Sequence, residues 1–390
     1  MFTFPNVTIA HCVVMMHGRG MTSTEMLRAI DMSLEDHGFE PLEIKGLTYP
    51  LGGHAPGYGE VYPLAPDMGW TRMPVPGNLN HINIWLLDDR DEEGDGFAIA
   101  DTGLFMPPVI EEWKGLLEGA LGHRRMTRVF VTHFHPDHVG CAGWLANRAK
   151  VQVWMNRTEW LMARMLVADQ REEPPKDILA RRKFQGYTDE QVEDMRQRGF
   201  GNFAKAVSLL PTGHRRLDDG AHIRVGGRVW QVMTGGGHTP EHACLVDHHN
   251  GVIIAGDQIL PRITSNVSIM DSEPDADPLG EWLDSIAKFR RALPADMLVL
   301  PAHGEPFRGV HVRLDKLADG HNDRLDKLEV ALRERSMRAV DTFSLLFDRP
   351  IDESVFGLAT GESHAHLVHL VATGRAKVET IDGVGWYSAA

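Results

Sequence analysis

Four side chains with ligand chemistry crowd into six residues of this 390-residue chain, in the run His133-Phe134-His135-Pro136-Asp137-His138. Neutral imidazole and carboxylate are the usual ligands of a catalytic zinc, which keeps one position open for water. A turn leaving a strand can aim alternate side chains at one point, so the spacing reads as a metal site rather than a polar surface turn. Three further candidates stand in comparable places. His238 follows Gly235-Gly236-Gly237, where missing side chains let backbone approach a crowded centre. Asp257 follows the apolar run Val252-Ile253-Ile254-Ala255-Gly256, and a carboxylate delivered from a buried strand needs a cation or several donors. His303 follows the apolar run 297–300 in the same way.

Strand patterns deliver these residues. The β-branched run 128–132 leads straight into the cluster and places it at a strand's C-terminal end. Upstream, 81–87 and 97–100 read as a hairpin around the acidic turn 88–96, and 108–121 as a helix. Downstream, a helix over 141–148 and a strand over 151–154 give the β-α-β alternation of helix-covered sheets, whose loops gather functional residues. Strand patterns return at 222–225, 229–233, 243–247, 252–255 and 297–300, enough for a second sheet. Between them, 157–208 is charged, Met-rich and helical, with a capping box at Thr188-Asp189-Glu190-Gln191, and reads as an insertion. Trp154, Met155, Trp160, Met162 and Met165 suit either helix packing or an adaptable apolar surface; over the site, the insertion would act as a lid.

Residues 1–60 read as an N-terminal extension, with a helix near 24–35 and an irregular Gly/Pro/Tyr-rich passage over 49–66. Residues 61–310, which carry the candidate ligands, read as the catalytic unit. Beyond it Leu314, Leu317, Leu325, Leu328 and Leu332 fall close to one helix face. A short helix over 341–347, a third over 354–373 and two strands around Asp382-Gly383 predict a separate C-terminal domain, 311–390, of winged-helix type. His364, His366 and His369, at spacings of two and three, do not share a ligand face and read as structural. Asn78, Asn80, His81 and Asn83 precede or open the first core strand, where they could line the cleft, but turn and hairpin roles are the favoured reading.

Composition narrows the partners. Lys plus Arg total 40 against 54 Asp plus Glu, a net charge of −14 and the wrong sign for a phosphate backbone. Residues 310–390 hold ten basic and thirteen acidic residues, without the basic stripe of a groove reader. The expected partner is therefore a small molecule rather than nucleic acid, with a homodimer contact or cleft closure left to the C-terminal domain. Cys12, Cys141 and Cys244, odd in number and far apart, fit a reducing compartment, so the expected location is cytoplasmic. Neither a signal peptide nor a membrane span is indicated. A serine or cysteine nucleophile is disfavoured: Gly-x-Ser-x-Gly is missing and Cys141 reads as packing. Gly235-Gly236-Gly237-His238 also lacks the ending of a phosphate loop.

H-x-H-x-D-H at 133–138, then His238, Asp257 and His303 in that order, with Asp101-Thr102-Gly103, resembles the metallo-β-lactamase superfamily over roughly residues 60 to 310. Through Ala365-His366-Leu367, Leu370 and Gly374, residues 311–390 resemble the winged helix of one branch, which includes lactamase-like endoribonucleases and thioesterase-like and glyoxalase II-like hydrolases. The resemblance implies an α/β fold, a four-layer αββα sandwich. It also implies that His133, His135 and His238 hold one metal, that Asp137, His138 and His303 hold a second, and that Asp257 bridges them with Asp101 behind. Two divalent ions are expected, zinc by default, with iron or manganese also suited. Such ions lower the pKa of a shared water from nearly 16 to about 7, making a bridging hydroxide the expected nucleophile. Asp137 would orient it and move its proton. The expected function is hydrolysis of a thioester, ester or lactone bond in a small acyl substrate. An endoribonuclease or phosphodiesterase on the same metals is the competing enzyme, since one scaffold hosts many reactions. A scaffold that binds metal without activity ranks third, because structural zinc sites are closed and four-coordinate.

Overall fold

The computed structural model describes residues 38–390; the helix expected near 24–35 lies outside them. A hairpin of β1 (Leu42–Ile44) and β2 (Leu47–Tyr49) opens the described chain. Seven strands then form one sheet in chain order: β3 (Tyr62–Ala65), β4 (Met68–Pro74), β5 (His81–Asp91), β6 (Gly94–Ala100), β7 (Arg125–Phe130), β8 (Val153–Met155) and β9 (Arg215–Arg216). Five more form a second sheet, again in order: β10 (His222–Val225), β11 (Arg228–Gly235), β12 (His242–Asp247), β13 (Val252–Gly256) and β14 (Leu298–Pro301). Strands linked by helices pair in parallel, β6 to β9 and β13 with β14, and the hairpin-linked ones pair antiparallel.

These strands read as unbroken apolar runs because both faces are buried. In β5, Ile82, Ile84 and Leu86 point one way, into a cluster with Val109, Trp113 and Leu116 of α1 (Pro107–Glu118). Their alternates Trp85 and Leu87 point the other way, into a cluster that mixes Trp70, Ala98 and Phe130 with Trp230, Leu245, Ile254 and Leu300 of the second sheet. That cluster is the seam between the sheets. The outer face of the second sheet, with Val246, Ile253 and Val299, is covered by Trp282, Ile286 and Phe289 of a later helix. The order helix, sheet, sheet, helix follows from which residues each strand alternates.

Helices α2 (Pro136–Val139) and α3 (Ala142–Ala149) follow the histidine cluster. The insertion carries α4 (Arg157–Ala168), α5 (Lys176–Phe184) and α6 (Asp189–Arg198), the last opened by the capping box at Thr188 and Gln191. Helix α7 (Pro278–Ala292) covers the second sheet, and α8 (Val310–Glu334), α9 (Phe343–Leu346), α10 (Phe356–Ala372) and the hairpin β15 (Ala376–Ile381) and β16 (Val384–Ala389) complete the chain. Leu314, Leu317, Leu325, Leu328, Leu332, Leu367 and Tyr387 share one apolar cluster with the second sheet and α7.

Two local expectations change. The passage over 49–66 is only partly irregular: β3 lies in it, and β4 follows before the first expected strand. Pro63, Gly69 and Pro74 mask a pattern in which Met68 and Trp70 are buried. The acidic turn is also shorter than 88–96, since β5 continues to Asp91. Arg124, Arg125 and Arg128 pair with Asp88, Asp91 and Asp89, which lets charge run into the end of a strand.

Candidate metal centre

Each ligand-type side chain leaves a strand end at the same edge of the two sheets. His133, His135, Asp137 and His138 follow β7; His238 follows β11, Asp257 follows β13 and His303 follows β14. Two glycines permit this crowding. Gly237 has φ 100°, and a Cβ there would lie 2.5 Å from the Trp282 Cβ; Gly256 has φ 51°, and its Cβ would lie 2.5 Å from Nε2 of His242.

The seven residues converge as two groups, His133, His135, His238 and Asp257 in one and Asp137, His138 and His303 in the other, with ligand atoms in each group within 4.8 Å of one another. Asp257 stands between them: its Oδ2 is 3.3 Å from His238 Nε2, and its Oδ1 is 3.5 Å from His138 Nε2 and 3.4 Å from His303 Nε2. Asp137 Oδ2 lies 3.4 Å from His303 Nε2 and 3.6 Å from His138 Nε2.

The tautomers are fixed from behind. Nδ1 of His138 donates to Asp101 Oδ2 at 2.9 Å, Nδ1 of His238 to the Asn266 carbonyl at 2.7 Å, and Nδ1 of His303 to the His81 carbonyl at 2.7 Å. Each bond turns Nε2 toward the centre. Nε2 of His138, Nε2 of His238 and Oδ1 of Asp257 are buried and have no hydrogen-bond partner among the described residues. Buried polar groups without partners are costly, and these three point toward a common centre between imidazoles and carboxylates. The donor set fits divalent ions.

The electrostatics point the same way. Burial, and then the neighbouring imidazoles, lowers His133 well below its usual pKa and His135 to about 3, so both rings are neutral. Burial opposes charge on His138 and His303, but Asp101, Asp137 and Asp257 outweigh it and raise His138, and Asp257 and Asp137 raise His303. Burial likewise opposes charge on Asp137 and Asp257, yet His138 and His303 draw Asp137 down to about 2 and Asp257 well below the carboxylate range. The ion pairs of Asp137 and Asp257 among the described residues are all with histidine, so this pocket calls for positive charge.

Four residues support the site, two of them, His242 and Glu159, missed by the sequence reading. Asn83 Nδ2 donates to the Pro301 and Gly304 carbonyls at 2.8 and 2.7 Å, and His81 Nε2 accepts the Gly304 N–H, so two residues read as hairpin residues brace the His303 turn. His242 Nε2 accepts the Asp257 N–H at 3.0 Å, its ring 4.7 Å from that of His133. A histidine at the mouth of an apolar strand was its one signal. Glu159 of α4 is fully buried and accepts backbone bonds from Phe134 and Glu241; burial pushes its pKa up to about 7. Elsewhere, His364 bonds Gln185, His366 bonds His321 and the Glu362 carbonyl, and His369 bonds Asp277 at the start of α7.

Comparison with known proteins agrees with this geometry. The chain is similar, at 34% identity and a TM-score of 0.76, to a beta-lactamase domain protein from Burkholderia ambifaria, covering 88% of this chain and 99% of that one. A metallo-beta-lactamase family protein from Thermus thermophilus shares the fold at 24% identity and a TM-score of 0.68, over 84% of this chain and 100% of the other. An atrochrysone carboxyl ACP thioesterase of Emericella nidulans is 22% identical over 220 residues, 55% of this chain and 50% of its own length. Residues 325–390 match the metallo-beta-lactamase-like C-terminal domain. Residues 77–303 match the metallo-beta-lactamase superfamily itself, and with every strand-end ligand position inside or at the border of that match, the chain belongs to this superfamily of metal-dependent hydrolases.

Proposed function

We propose that this chain hydrolyses a thioester, ester or lactone bond of a small acyl substrate at a two-metal site held by His133, His135 and His238 on one side, Asp137, His138 and His303 on the other, and Asp257 between. The observation that carries the site is the trio of buried, unpartnered ligand atoms on His138, His238 and Asp257. When bound, a pair of divalent ions supplies Lewis acidity, acidifying a shared water and polarising the substrate carbonyl.

The chain's own residues do the rest. Asp137 is ionised and retains 15% side-chain exposure, so it can meet both water and substrate. It accepts the proton of the attacking water and returns it to the departing sulfur or oxygen, as the water's C–O bond forms and the acyl bond breaks. No side chain is acylated.

The acyl reading draws on the flank of the site. Phe203 of the insertion packs 6.3 Å from Phe134, the residue between His133 and His135, and Met162 and Met270 border the same cluster. This is an adaptable apolar wall, suited to an acyl chain. The thioesterase relative supports the same bond class. The net charge of −14 favours a small substrate over a polyphosphate.

The test is a purified, metal-quantified protein assayed against acyl-thioesters, esters, lactones, phosphodiesters and structured RNA. Acyl hydrolysis is expected, with Asp257→Ala losing both bound metal and turnover. Wild-type turnover in Asp257→Ala would sink the site, and cleavage of phosphodiesters alone would transfer the assignment to a nuclease.

A further inference from the structure

The hydrolytic mechanism makes no use of Glu159, yet its carboxylate is among the most enclosed in the molecule. It sits in the first turn of α4 and reaches two separate loops. Oε2 accepts the N–H of Phe134 at 2.9 Å, and Oε1 accepts the N–H of Glu241 at 2.7 Å. Phe134 lies between His133 and His135; Glu241 lies three residues beyond His238.

The return contact is equally specific. Glu241 Oε2 accepts the N–H of Thr158 at 3.2 Å, inside the first turn of α4. The opening N–H groups of a helix lack partners within it, and Asn156, at the cap, makes no side-chain cap bond. Glu241 caps the helix from a distant loop while Glu159 bonds the Glu241 backbone, so two residues 82 apart perform the exchange that a capping box makes within four. A buried carboxylate costs several kcal/mol unless donors satisfy it, and the Phe134 and Glu241 N–H groups are those donors.

We propose that Glu159 is a positioning residue that sets the spacing between the His133–His135 turn and His238, and so assembles the metal site those three histidines share. The inference rests on the two-metal reading above. The other group is braced independently: His138 by Asp101 and by Thr102, whose hydroxyl donates to the His138 carbonyl at 2.6 Å, and His303 by His81. Losing Glu159 therefore acts on one ion and spares the other.

The experiment titrates the metal-stripped full chain and its Glu159→Gln variant with cobalt(II), reading stoichiometry and the visible ligand-field bands. Glutamine keeps the shape, but its amide can accept from only one of the two N–H groups and sets an NH2 against the other. Wild type is expected to bind two equivalents; the variant keeps one and binds the second roughly 10- to 100-fold more weakly, the usual cost of removing a ligand's supporting partner. Should the glutamine variant fail to fold, Glu159→Asp, charged but one methylene short of both donors, reads the same asymmetry. Two equivalents at wild-type affinity, or equal weakening of both, overturns the inference. Wild type that binds no cobalt overturns the two-metal reading instead, so the two failures are told apart.

Discussion

His138 is oriented by groups behind it whatever stands in front. Asp101 accepts its Nδ1 hydrogen and also the Thr132 N–H at 2.9 Å, from a left-handed backbone of φ 66° that aspartate tolerates better than most residues. Replacing Asp101 with alanine strips both partners at once. Metal affinity should fall roughly 10- to 100-fold, measured by chelator competition; an unchanged constant would remove Asp101 from the site. The convergence of these side chains was legible because four lie within six residues and the rest at strand ends, where residue type and pattern coincide. Their supports were not. Asn83, Glu159 and His242 act through backbone groups far along the chain, and a bond from Glu159 to the Phe134 N–H leaves no trace in local spacing.

At the scale of elements, strands were legible wherever both faces are apolar, and lost where a proline or an acidic pair interrupted the run, as in β3 and at the end of β5. Contacts between elements were hidden altogether. Helix α3 presses Gly143 against the chain leaving the insertion so closely that a Cβ would stand 2.1 Å from the Leu209 carbonyl oxygen. Gly143→Ala must therefore push the helix off that segment, a destabilisation of about 1–3 kcal/mol by overpacking. Chemical denaturation measures it directly, and a variant as stable as the wild type would show that the segment yields freely.

Taken whole, the molecule joins its C-terminal helices to the second sheet through one apolar cluster, with Trp282, Leu317, Leu367 and Tyr387 in common. Buried histidines lie in this region. Burial lowers His321 to about 3 and His364 and His366 to about 4, helped by Arg324 for His321 and His366 and by Arg181 and Arg182 for His364. An imidazole kept neutral in the fold but protonated in the unfolded chain contributes stability that is complete above about pH 6.5 and lost as the pH falls toward about 4. Glu362 and Glu159, each raised by burial to about 7, act oppositely, but two carboxyls stand against three imidazoles. The melting temperature should therefore drop between about pH 6.5 and about pH 4.5; a flat profile in calorimetry would mean that these rings are not neutral in the fold. Cys141 and Cys244 are free thiols buried in different clusters, so no disulfide ties the described chain. Ions gripped at the strand ends by residues from both sheets would be its covalent-like staples, closing long loops of sequence and restricting the unfolded chain much as disulfides do in secreted proteins.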